Sequence, residues 1–200
     1  MSQKQDVTIE SLTALSLAKC LLRLSRVSAG TWQVAGVKIS SGTLRDALQQ
    51  HNFKNQAAAV YFNLKGMSPV TAVMMFDAGD LECVSKCFTG HSFPQHGAIT
   101  PADEIIMTEL GNIVLNALIN VLLNAIHKSF MPALPVFAAG DLDRIEVEIS
   151  RKVNPRQAFR IVASTLNLKA DAALAKVQVL VLLPEELALE LELMQPTSGV

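Results

Sequence analysis

Two hundred residues give enough chain for one domain, or two small ones, with a sizeable core. Half are apolar, which argues against disorder, and 17 basic against 18 acidic residues leave a charge of −1 that draws no polyanion, so a nucleic-acid surface is not expected. The opening "MSQKQDVTIE" lacks the apolar stretch of a signal peptide, and three cysteines, an odd number, fit reduced thiols in a cytoplasm.

In chain order, Ile9 to Leu24 ("IESLTALSLAKCLLRL") repeats apolar residues at helical spacing. "WQVAGVKISSGTLRDAL" predicts a strand, a turn and a short helix near Ser41 to Gln50. "AAAVYFNLKGMSPVTAVMMFD" predicts two strands around a Gly66-Met67-Ser68-Pro69 turn. "DAGDLECVSKCF" predicts a helix closed by Gly90, and "TGHSFPQHGAIT" (89–100) a linker. Next comes a long helix. Thr100 caps it, Pro101 takes the first helical position and Asp103 lies in the first turn, while His127 and Lys128 precede the stops at Pro132 and Pro135. "LPVFAAGDLDRIEV" echoes the first strand and turn, residues 158–184 give another strand pair, "EELALELELM" a last helix and "QPTSGV" a loose tail. A shift of about a hundred residues places Glu10 on Glu109 and "SGTLRD" on "AGDLDR". The expectation is one α+β domain of two pseudo-repeats, 1–99 and 100–200, with two long helices packed on strands from both halves.

The long helix, "ELGNIVLNALINVLLNAI" over 109–126, carries an ordered set of polar residues. At about 100° per residue, Glu109, Asn112, Asn116, Asn120 and Asn124 stay within an arc of about 120°, and His127 returns to the same azimuth. The rest of the circumference is apolar, so one narrow polar strip must meet water, another polar surface or a partner. Ile105 to Ile126 could span a bilayer by length, but four Asn and a Glu would be costly there, and membrane insertion is not expected. Gly111 costs about 1 kcal/mol relative to alanine in a helix, and is tolerated where another backbone comes close. That backbone is a partner's at the acid and amide, or the other long helix at a crossing. Asn116, Asn120 and Asn124 are expected to be solvated or bonded to one another.

"MTELGNIVLNALINVLLNAI" resembles the signature helix of the CheC/CheX/FliY group of chemotaxis phosphatases, in which Glu and Asn three apart precede a proline some two dozen residues later. Glu109, Asn112 and Pro135 match that pattern. An Asp or Ser usually stands four residues before the Glu, where this chain has Ile105. The first half looks like a decayed copy: Asp6 and Glu10 fit, whereas Thr13 replaces the asparagine and Gly36 the proline. The resemblance covers nearly the whole chain. It implies a CheC-like α+β fold of two long helices packed with antiparallel strands, and hydrolysis of the aspartyl phosphate of a CheY-type response regulator. Asn112 would orient the attacking water and Glu109 would pair with a receiver lysine. Glu10 and Thr13 would form a degenerate second site. The receiver would bring its own Mg²⁺, so the chain needs no metal or cofactor. The alternative is a non-catalytic module that holds a receiver or a CheD-like deamidase. A third reading is a FliN/FliM-like structural role, less favoured without an appended domain. A homodimer is possible through exposed strand edges.

The remaining candidates have plainer readings. Cys83, Cys87 and His91 are spaced i, i+4, i+8, but Gly90 should end the helix before His91, so small thiols are expected there rather than zinc ligands. Cys20, Trp32 and Tyr61 read as core, and His91 and His96 as linker residues. The acids of residues 185–194 should form a solvated face or contact a basic partner.

Overall fold

Two segments, "AAAVYFNL" and "VTAVMMFD", are apolar at almost every position, which suits strands covered on both faces rather than strands with one wet side. The computed structural model describes residues 3–50, 53, 56–64, 69–91, 99–128 and 134–193, with side chains from residue 9 onward. Those two segments are β2 (Ala57–Leu64) and β3 (Val70–Asp77), and they lie inside a six-stranded sheet. The other strands are β1 (Thr31–Gly42), β4 (Val136–Gly140), β5 (Phe159–Ala170) and β6 (Ala173–Leu183). All pairings are antiparallel, in the order β1-β5-β6-β3-β2-β4. That order reads the same when first-half and second-half strands are interchanged. Each half contributes a hairpin to the centre, while β1 pairs with the second half's β5 and β4 with the first half's β2.

Six α-helices cover the sheet among the described residues: α1 (Gln3–Val27), α2 (Leu44–Leu48), α3 (Leu81–Thr89), α4 (Pro101–Ala125), α5 (Leu142–Ser150) and α6 (Glu185–Leu193). Because strand side chains alternate, the sheet has two separate cores. On one face Val60, Phe62, Met74, Phe76 and Val179 pack with Leu17 and Leu21 of α1 and Leu110, Val114 and Leu118 of α4. On the other, Tyr61, Met75, Ile161 and Leu180 pack with Leu44 and Leu48 of α2 and Ile145 and Ile149 of α5.

Helix starts are set by short polar side chains. Thr100 Oγ1 accepts from the Asp103 amide and Asp103 returns the bond to the Thr100 amide, and Thr43 and Asp46 repeat this box at α2. Asp141 caps α5 at the place matching Thr43. Helix α4 closes where His127 turns left-handed, at φ 52°. Among the described residues α4 is the one helix long and apolar enough to cross a membrane, and its apolar face is buried against the sheet. The expected Gly66–Ser68 turn, His96, Pro132 and the closing "QPTSGV" lie outside the described residues, as does the Asp6 side chain.

Gly111 corrects both sequence readings. What stands against it is the Val60 side chain of the sheet, not the backbone of the other long helix. The glycine faces β2, where an added Cβ would stand 2.5 Å from Val60 Cγ1 and 2.8 Å from Val60 Cβ. Rotating the valine relieves only the first contact, so a larger residue must lift the helix from the sheet. Gly111→Ala should therefore destabilise by about 1–3 kcal/mol through overpacking, outweighing a gain of about 1 kcal/mol in helix propensity. Urea unfolding checks it: Val60→Gly, which removes both contacting atoms, should recover part of the loss in that background, and simple additivity would deny the contact.

Candidate functional site

Seating α4 through Gly111 turns the opposite side of the helix outward. Glu109 is exposed and has no hydrogen-bond or ion-pair partner among the described residues. Asn112, one turn later on the same face, is half-buried. Its carboxamide oxygen accepts a hydrogen bond from Asn116 Nδ2 at 2.7 Å, and its backbone carbonyl accepts from the same nitrogen at 2.9 Å. Asn120, Asn124 and His127 continue the strip and are exposed. The structure thus brings Glu109 and Asn112 together at the surface of one helix, with neither in the core.

Helix α1 runs alongside, pinned by Ser16 Oγ donating to the Ala117 carbonyl at 3.1 Å. Its matching pair is split. Glu10 is exposed, but Thr13 has no exposed surface, and its Oγ1 is buried without a hydrogen-bond partner. The degenerate second site expected at Glu10 and Thr13 therefore cannot present both side chains to another molecule. A hydroxyl two bonds from the backbone stays within the core where a longer amide would need outside space.

Large aliphatic side chains outside the core were missed in the sequence. Ile105, 70% exposed, lies one turn before Glu109, and Leu15 and Leu22 of α1 are 59% and 57% exposed. The available signal was their azimuth: Leu15 and Leu22 are seven apart and lie nearly opposite Leu17, Leu21 and Leu24 on the helix. Exposed apolar groups of this size suit a protein partner.

The other candidates from the sequence lie apart from this strip. Gly90 adopts φ 81° and ends α3, leaving Cys87 fully buried, Cys83 half-buried and His91 exposed beyond the turn. Burial, with Cys83 alongside, pushes the Cys87 thiol up to about 12, far from reactive thiolate character. Cys20, Trp32 and Tyr61 are buried, as expected. The acids of α6 are not all solvated: Glu192 is buried and pairs with Arg160, which also binds Glu185 at 2.7 Å. A shallow cleft of about 250 Å³ lies against Gly36, Lys38, Gln50, Thr165 and Gln178. Its polar groups include Gln178 Nε2 donating to Thr165 Oγ1 at 2.9 Å and Gln50 donating to Ser40 at 2.8 Å, with no acid–base pair among its lining residues.

No protein-family model matches the sequence, and no curated protein does. Solved structures do match in shape. FliY of Thermotoga maritima superposes with a TM-score of 0.67 at 10% identity, covering 97% of this chain and 96% of that one. The FliM middle domain of H. pylori gives 0.62 at 12% identity over 95% and 99%, and the chemotaxis protein CheX of Vibrio vulnificus 0.53 at 11% over 86% and 98%. The fold is of the CheC/CheX/FliY type.

The buried Thr13 gives a direct test. Thr13→Val should stabilise the protein by about 1 kcal/mol, because it removes a hydroxyl that is desolvated without a partner. Thr13→Asn should destabilise it by a similar amount or more. Denaturant midpoints read both, and a stabilising asparagine would show that the position is open after all.

Proposed function

We propose that this CheC/CheX/FliY-type fold carries a response-regulator phosphatase, with Glu109 and Asn112 of α4 as its working pair. The observation that carries the reading is the pair itself: a carboxylate without an internal partner and a carboxamide one turn later, both reachable from outside on a helix fixed to the sheet. The substrate is the aspartyl phosphate of a CheY-type receiver. Water attacks phosphorus, the bond from phosphorus to the aspartyl oxygen breaks, the carboxylate leaves with its electron pair, and the products are aspartate and inorganic phosphate. Such an acyl phosphate is already labile, so the reaction needs placement of water and neutralisation of charge more than a strong base. Asn112 enters the receiver's pocket and holds the water in line, while Glu109 pairs with a receiver lysine and sets the register. Mg²⁺ bound by the receiver supplies charge neutralisation. The aliphatic side chains of Ile105, Leu15 and Leu22 supply apolar contact area outside the pocket.

A second reading is a non-catalytic module that holds a receiver, or a CheD-like deamidase, without turnover. Ile105 favours it, since this exposed aliphatic side chain stands where related motifs place Asp or Ser, and so does the loss of Thr13 from the surface.

Decay of a phosphorylated CheY-type receiver, with and without the protein, separates the two readings. Wild type should shorten the lifetime, and Asn112→Ala should lower the acceleration by about 100-fold with an unchanged unfolding midpoint. Binding without any shortening would favour the module. Glu109→Ala should raise the half-saturating receiver concentration by about tenfold, equivalent to about 1.4 kcal/mol of docking energy. An unaltered concentration dependence would remove Glu109 from this role.

A further inference from the structure

The Asn112 side chain is not left to choose its own orientation. A primary carboxamide has two unlike edges, an oxygen that accepts and an N–H₂ that donates, and the torsion exchanging them is soft. A free Asn112 would present either edge to another molecule. Asn116 removes that choice by donating from one Nδ2 to both the Oδ1 and the backbone carbonyl of residue 112, at 2.7 and 2.9 Å. Both contacts of the Asn116 Nδ2 thus fall on a single residue. The Asn112 oxygen is engaged toward Asn116, while its Nδ2 has no acceptor among the described residues and occupies the opposite edge of the planar group.

We infer that Asn116 is a positioning residue, locking the Asn112 carboxamide with its N–H₂ edge turned to the partner. This rests on the phosphatase reading of the same helix face. Accepting a hydrogen bond at Oδ1 polarises the amide and strengthens its N–H groups as donors. A donor of this kind can hold water through one lone pair while the other faces phosphorus. The lock also removes a side-chain rotation that would otherwise have to be frozen on docking. The spacing that permits it is i, i+4, so the polar strip has an internal division of labour: Asn112 acts and Asn116 aims.

Two measurements test it. In solution NMR, the Asn112 side-chain amide of wild type should have an order parameter near that of rigid backbone, about 0.85, and should fall below about 0.6 in Asn116→Ala. The Asn116 amide hydrogens should exchange with water more slowly than those of Asn112. A mobile Asn112 amide in wild type, or the reverse order of exchange, overturns the lock. In receiver dephosphorylation, Asn116→Ala should lower kcat by about tenfold with KM within about twofold and an unchanged unfolding midpoint. In an Asn112→Ala background the same substitution should have no further effect. An equal loss in that background means Asn116 does not act through Asn112, and overturns the proposal. If wild type shows the rigid amide but no turnover, the phosphatase reading fails while the lock is upheld.

Discussion

The contact between Gly111 and Val60 sets the terms for the rest of the molecule. A helix apolar around most of its circumference could roll on a sheet, since hydrophobic burial alone has no direction. The missing Cβ at 111 fixes one azimuth, because only that line of α4 can descend onto β2. With one azimuth fixed, the others follow: Leu110, Val114 and Leu118 go into the core, and Glu109, with the strip that follows it, faces away. The functional reading is thus a consequence of packing on the far side of the helix.

Symmetry of the fold and asymmetry of the chemistry coexist. The series helix–strand–helix–strand–strand–helix occurs twice, and Thr43 and Asp141 cap matching helices. Yet the helix at the start of one half offers an acid and an amide, while the other offers an acid and hides a hydroxyl. A backbone arrangement tolerates such divergence because it depends on apolar periodicity, caps and strand pairing. None of these records which polar residue occupies an outward position.

Much of this was legible in the sequence because local rules governed it. The cap at Thr100, the stop at Gly90 and the polar strip follow from spacing and from the conformations particular residues prefer. The CheC-like α+β architecture followed from the short motif around Glu109. What escaped prediction depended on neighbours distant in the chain. Gly111 was seen as a place of close approach, but its neighbour lies fifty-one positions away in β2, beyond the reach of helical periodicity. Thr13 looked like a shortened active-site residue, yet it has no exposed surface. Glu192 was expected in solvent, but Arg160 on β5 draws it inward.

The crossed pairing of the sheet bears on how the chain is made. Strand β1 leaves the ribosome early, but its ladder partner β5 follows more than a hundred residues later, and β4 must return to a hairpin synthesised long before it. The nascent first half therefore holds an unsatisfied strand edge for much of its synthesis, and ladder closure waits for long-range pairings that form slowly. A polypeptide arranged this way has reason to need chaperone shelter during translation. Cutting it between its halves would leave two pieces, each lacking a strand that the other carries.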